Sequence, residues 1–218
     1  EILEEEKRYE TILNNRRFYV LEKKYAIFPQ KSGSLVLPRE TFVGTRGRGG
    51  LFSARQRVSA ISSGHTIEVK PVPKAFSGTH WLPGKNLSAK SKLNLPEGLI
   101  KVGDPLNQVI SLSMDGVSGV LLPEINLQDL PGAKIYVDQP IIEDTESNAG
   151  INTLSRTTIG IVPTQAGQLT LPEIRIPWWN MQLDRQETAI VPAQTIEIKP
   201  SASTLPASPV IQDKADPA

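Results

Sequence analysis

The sequence predicts an all-β protein of tandem immunoglobulin-like β-sandwich domains, the first of them truncated. Short β-prone runs alternate with turn signals at intervals of about 8–12 residues, which is typical of β-sandwiches. The 16 glycines and 18 prolines are scattered along the 218 residues, which favours short strands and tight turns over long helices. A repeated segment, described below, indicates two copies of one domain type.

The composition excludes several kinds of chemistry. The chain has no cysteine, so disulfides, thiolate zinc sites, iron–sulfur clusters and a cysteine nucleophile are excluded. Two histidines leave few candidates for a metal site or a serine–histidine pair. The net charge of +1 gives no argument for a nucleic acid or an anionic membrane as partner. The 39% of hydrophobic residues is enough for a folded core.

The first part of the chain predicts a hairpin followed by short strands. Two β-prone runs flank Asn14 and Asn15, residue types that tolerate the left-handed backbone of a tight turn. The second run is expected to continue as a strand through residues 25–28 and to end at Pro29, which has no N–H to donate. Further strands are predicted at 35–37, 41–43 and 65–72.

The remainder of the chain predicts a complete sandwich and a tail. Acidic residues dominate 138–146, where a solvated loop is expected and a calcium site is the alternative. The tail, 201–218, is rich in serine, alanine and proline, so a linker is expected. Strands are predicted around 93–95, 106–114, 133–137, 157–162, 169–171, 174–178, 189–191 and 195–198.

An internal repeat sets the domain boundaries. Residues 25–38 align with 159–172 at an offset of 134, and residues 66–71 align with 195–200 at an offset of 129. The difference of five residues indicates a change in loop length, and the repeat as a whole indicates a duplication. We therefore divide the chain into 1–73, the C-terminal part of an immunoglobulin-like sandwich; 74–200, a complete one; and 201–218, a linker.

The repeat also indicates that the first copy is incomplete. It has about 73 residues, against about 127 in the second copy, so its N-terminal strands are expected to be missing. Its sheet should then have a partly uncovered face. The chain begins at Glu1 and its methionines are Met114 and Met181, so we expect it to be a fragment or a processed product.

Seven short motifs resemble the BatD-type oxygen-tolerance family of bacterial cell-envelope proteins, encoded in aerotolerance operons. They occur in a fixed order over about residues 8–200. They are YAIFPQKSG-x-L-x-LP at 25–38, WLP at 81–83, VGDP at 102–105, IYVDQP at 135–140, VP-x-x-AG at 162–167, LP at 171–172 and PWW at 177–179.

The resemblance implies tandem immunoglobulin-like domains that face the periplasm and are tethered to the inner membrane by a segment outside this chain. It implies partners among envelope proteins, including von Willebrand A-type membrane proteins and a MoxR-type ATPase system. It implies no cofactor, and we carry over no catalytic residue. The expected function is therefore a non-enzymatic interaction or scaffold region. The alternative is a carbohydrate-binding or hydrolytic cell-envelope module.

Aromatic and basic residues are the candidate partner-binding positions. Trp178 and Trp179 are adjacent in a predicted strand, so their side chains should point to opposite faces. One should fill the core, and the other, together with Trp81, is a candidate binding anchor; alternatively, both are covered. Arg46 and Arg48 lie in a glycine-rich basic stretch, residues 44–57, which is a candidate contact for an acidic partner or simply a loop.

The truncation can be tested on the first copy alone. Without its N-terminal strands it cannot cover its apolar face, so residues 1–73 should show no cooperative thermal transition. Circular dichroism measures this directly. A cooperative two-state melt of this fragment would contradict the truncation.

Overall fold

The computed structural model describes residues 6–46, 55–127, 130–147 and 150–201. These residues form an all-β structure, as the sequence predicts. Within them no helix is long and apolar enough to cross a membrane. Residues 202–218, most of the predicted linker, lie outside the described part of the chain.

Six strands form the N-terminal module, and they pair two by two in antiparallel fashion. β1 pairs with β2, β3 with β6, and β4 with β5. The predicted turn at Asn14 and Asn15 is confirmed, with φ of 49° and 60° in the left-handed region. The strands are β1 (Lys7–Leu13), β2 (Arg16–Glu22), β3 (Gly33–Leu37), β4 (Thr41–Arg46), β5 (Gln56–Ile61) and β6 (His65–Val69).

Nine strands and a short 3-10 helix (Gly119–Leu121) form the C-terminal module. The strands are β7 (Pro83–Asn94), β8 (Leu106–Asp115), β9 (Ala133–Val137), β10 (Ile141–Ser147), β11 (Gly150–Pro163), β12 (Gly167–Leu171), β13 (Ile174–Asn180), β14 (Arg185–Val191) and β15 (Gln194–Ile198). Seven of them form one curled sheet in the order β10-β11-β8-β7-β13-β14, with β9 also paired to β11. The pair β12–β15 forms a second sheet.

The core of the C-terminal module follows from the alternation of side chains along each strand. Every second residue of β8 and β11 is buried, while the residues between them are partly or fully exposed, as expected for strands with one face on the core. The pair β12–β15 contributes its own alternate residues to the same core: Leu169, Leu171, Ile196 and Ile198. The result is a sandwich-like arrangement with one continuous core.

The sequence repeat is reproduced in the strand pairing. The six strands β1–β6 recur as β10–β15, with the same partners and the same register. Three pairs and their counterparts show this: Lys7–Glu22 with Ile141–Arg156, Gly33–Val69 with Gly167–Ile198, and Thr41–Ile61 with Arg175–Ile190. The change in loop length between the copies falls between β4 and β5, where Arg46 to Gln56 corresponds to Asn180 to Arg185.

The two copies differ in burial. No described residue from 6 to 81 is buried. Ile67 is 45% exposed, whereas its counterpart Ile196 is 7% exposed. The C-terminal module has β7, β8 and β9 in addition to the six repeated strands, and no described strand of the N-terminal module corresponds to them. The uncovered face that the sequence predicts for the first copy is therefore present.

The predicted strand at residues 25–28 is wrong. β2 ends at Glu22, apart from an isolated bridge at Tyr25. The corresponding residues 159–162 are a regular part of β11, where β8 pairs on one side and β9 on the other. Along residues 25–28, no described strand pairs as β8 and β9 pair along 159–161, and the stretch is not a regular strand.

Three further expectations need correction. The sequence predicts a loop up to residue 57, whereas β5 begins at Gln56. For its counterpart β14, the sequence predicts part of the strand, at residues 189–191. β7 begins at Pro83, whereas the sequence predicts a strand only around residues 93–95. The polar residues of β7 hide its strand pattern in the sequence. The acidic stretch is a loop only at residues 138–140, because β10 occupies residues 141–147 and pairs along its length with β11.

The duplication provides a matched pair of substitutions. Ile161 is fully buried and its counterpart Ile27 is 49% exposed. Ile161→Ala should lower the free energy of unfolding of the C-terminal module by about 2–5 kcal/mol, because it leaves a cavity in a covered core. Ile27→Ala should change stability by less than about 0.5 kcal/mol. Urea denaturation measures both, and equal effects would mean that the two copies are covered alike.

Candidate interaction surfaces

The two adjacent tryptophans are both buried. Trp178 is 4% exposed and belongs to the core, and Trp179 is 7% exposed on the opposite face of β13. Trp81, half-buried, covers Trp179, with 6.1 Å between ring centroids. Phe76 packs edge-on against Trp81 at 4.9 Å. The expectation of one tryptophan on the outside is therefore wrong, and the alternative that both are covered is correct.

These aromatic contacts hold the connecting segment, residues 74–82, on the outer face of β13 and β14. The backbone N–H of Ser77 donates to Oε1 of Gln186 at 2.7 Å. The N–H of Trp179 donates to the carbonyl of Leu82 at 2.9 Å, and its indole Nε1–H donates to Asp184 at 3.2 Å. Trp81 and Trp179 thus serve to attach the segment between the modules.

Polar side chains complete the end of the β13–β14 hairpin. The buried Asn180 accepts the backbone N–H groups of Gln182 and Leu183 at its Oδ1 and donates to Glu187 at 3.1 Å. This hydrogen bond, followed by those from Arg185, holds the pKa of Glu187 below its ordinary value. The ionised Glu187 carboxylate therefore stabilises the fold slightly at a pH above its ordinary pKa. This stabilisation is lost as the pH falls through the lowered pKa of the folded protein.

The predicted basic site is only partly visible. Arg46 is the last residue of β4, so it lies in a strand rather than in the predicted loop. Arg48 lies outside the described residues, as do the other positions from 47 to 54.

Asp144, in the stretch where the sequence predicts an acidic loop, fixes the 3-10 helix to the edge of the sheet. Its carboxylate accepts the hydroxyl of Ser118 at 2.6 Å, the hydroxyl of Thr153 at 2.5 Å and the backbone N–H of Gly119 at 3.0 Å. A Cβ at Gly119 would collide with Ile142 and Thr153, so the helix lies directly against β10 and β11. Its other end is tied by His80, whose Nε2 lies 2.7 Å from the carbonyl oxygen of Leu121.

The acidic neighbours of Asp144 have separate partners. Glu143 forms an ion pair with Arg156 at 2.7 Å, and Glu146 forms one with Lys24 of the N-terminal module at 3.1 Å. Among the described residues, no group of three or more histidine, aspartate or glutamate side chains is placed to hold a metal ion.

A groove of about 480 Å³ opens beside the 3-10 helix that Asp144 holds. We call it the edge groove. On one side it is bounded by the 3-10 helix and residues 122–126, and on the other by β9, β10 and the connection between them. Its apolar lining includes Val120, which is 74% exposed, together with the partly or fully exposed Val137 and Ile142.

The edge groove lies along an open edge of the large sheet. β9 and β10 pair with successive parts of the same side of β11, and neither pairs with any other described strand. The N–H of Asp138 donates to the carbonyl of Thr158 at 2.9 Å where one strand gives way to the next. An open strand edge with exposed apolar side chains is a site to which a further strand can add.

Sequence reasoning could have found part of this site. Ile141 and Ile142 precede Glu143 and Asp144 in a run that aligns with β1 at the offset of the repeat, and that alignment would have predicted a strand. The groove itself has no local signal, because Asp144 meets Ser118 and Thr153 only through folding.

Comparisons of the chain with protein-family models, with curated proteins and with solved structures give no match.

Removal of the Asp144 carboxylate should loosen the edge groove. Asp144→Ala leaves Gly119 and two hydroxyls without their acceptor, and should lower stability by about 1–2 kcal/mol. Hydrogen exchange at Gly119 and Leu121 should accelerate. Glu143→Ala is the matched control, since its ion pair is exposed and such pairs contribute little. Equal exchange at Gly119 in both variants would show that the carboxylate does not hold the helix.

Proposed function

We propose that this chain is a non-enzymatic, periplasm-facing interaction or scaffold region of a membrane-anchored protein of the BatD type, built of immunoglobulin-like modules. The seven ordered motifs support the family. The duplication supports the tandem architecture, because six strands recur with the same pairing and register.

The observation that carries the proposal is the open edge at β9 and β10. A partner strand can donate and accept backbone hydrogen bonds along β10, while its side chains enter the edge groove beside Val120 and Val137. The exposed apolar side chains favour a protein over water as the neighbour of this surface. The proposed occupant is a strand of an envelope partner, for which von Willebrand A-type proteins are the candidates implied by the resemblance.

The roles of the ionisable side chains agree with a scaffold. Asp144 holds the 3-10 helix, and His80 is bonded to a backbone carbonyl of that helix. Glu187 is held by Asn180 and Arg185. The alternative, a carbohydrate-binding or hydrolytic module, would use the tryptophans as stacking rings, but Trp178 and Trp179 are buried. We therefore favour the scaffold.

In-cell crosslinking followed by mass spectrometry tests this proposal. Val120→Asp places a charge in the edge groove at a largely exposed position, so the fold should tolerate it while partner capture falls by about tenfold. Leu183→Asp, at an exposed position of the β13–β14 turn, is the matched control and should leave capture unchanged. Equal capture by both variants would reject the edge groove, and the absence of envelope partners among the crosslinked proteins would reject the scaffold.

A further inference from the structure

The N-terminal module has the side-chain pattern of a core face, but nothing described covers it. Five of its apolar residues correspond, through the repeat, to buried core residues of the C-terminal module. The pairs are Leu35 with Leu169, Leu37 with Leu171, Phe42 with Ile176, Ile67 with Ile196, and Val69 with Ile198. None of the five N-terminal members is buried. We call these five residues the uncovered face.

The C-terminal module shows what covers the corresponding face. Leu106, Ile110 and Met114 of β8 are fully buried and fill the centre of the core. β8 pairs with β11 along residues 152–161, and β7 pairs with the other side of β8. One antiparallel strand pair thus supplies the apolar cover of this core and a further strand partner for β11, and no described strand does the same for the N-terminal module.

We propose that the uncovered face is the docking surface for one antiparallel strand pair equivalent to β7 and β8, located before β1 in the same polypeptide. Chain order supports this, because β7 and β8 precede β10 in the other copy and β10 corresponds to β1. The inference goes beyond the proposed function and does not depend on the family resemblance.

The register of the repeat specifies how the pair docks. The β8 equivalent adds to β2, whose only described strand partner is β1. Its alternate side chains are apolar and pack on Leu35, Phe42 and Ile67, as those of β8 pack in the other core. Since β7 begins at Pro83 and β10 at Ile141, the pair begins about 60 residues before β1.

A second copy of this chain is a poorer source for the strand pair. Its β7 and β8 already form the centre of their own sheet, and Leu106 and Met114 are fully buried there. Supplying them to another molecule would unfold the C-terminal module that they hold together. The strand pair before β1 carries no such cost.

The experiment compares residues 1–218 with the polypeptide extended by the roughly 60 residues encoded immediately before Glu1. In the extended protein, amide exchange in β2 and β3 should slow by about tenfold or more, because a covered sheet opens only by cooperative unfolding. Binding of the apolar dye ANS should fall. Hydrogen exchange with mass spectrometry and dye fluorescence give the two measurements.

Phe42→Asp tests whether the added protection comes from covering the uncovered face rather than from another effect of the N-terminal extension. In the extended protein it should abolish the added protection of β3, because it buries a charge. In residues 1–218 it should change little, because Phe42 is already exposed. Ile190→Asp, on the exposed side of β14, controls for the added charge.

Two results would overturn the proposal. One is unchanged exchange in β2 and β3 of the extended protein. The other is protection of these strands in residues 1–218 that grows with protein concentration and accompanies a dimer in sedimentation, because the occupant would then be a second copy.

Discussion

The antiparallel pairing of β8 with β11 is the interaction on which the rest of the structure depends. It joins the two strands whose buried residues alternate most regularly. It places Leu106, Met114 and Ile161 opposite the small β12–β15 sheet, so that one core forms between two layers. A sheet face is stable only when a second layer covers it. In the N-terminal module no described strand pairs with β2 in this way, and although the same six strands pair, none of its described residues is fully buried.

The two copies share one strand register, so comparing them separates the contribution of strand pairing to stability from the contribution of a second layer that covers the sheet. Pairing within β3–β6 and β12–β15 satisfies backbone groups equally in both copies. The hydrophobic contribution to the free energy of folding differs between the copies, because it scales with the apolar area removed from water. Ile67 keeps much of its surface in solvent, whereas Ile196 loses nearly all of it. Local strand propensity is thus sufficient for hairpins, while the core requires elements distant in sequence.

Features that depend on neighbouring residues could be predicted from the sequence. The Asn14–Asn15 turn and the alternating strand β8 could be recognised from neighbouring residues, and the repeat from a direct comparison of two stretches of the sequence. Features that depend on distant contacts were not accessible. The polar surface of β7 hides its strand pattern, and the burial of Trp179 depends on Trp81, far away in sequence. The edge groove likewise depends on Asp144 meeting Ser118.

The attachment of residues 76–82 to β13 and β14 also determines where the chain can bend. Phe76 and Ser77 pack on the C-terminal module, and Leu82 is buried in its core. Only a few residues therefore separate β6 from this attachment, and Pro71 and Pro73 stiffen them. A pulling force along the connecting segment would act on the Ser77–Gln186 hydrogen bond and the Trp81–Trp179 contact before it reached any core strand. The connection between the modules is therefore a short, stiff segment rather than a flexible linker.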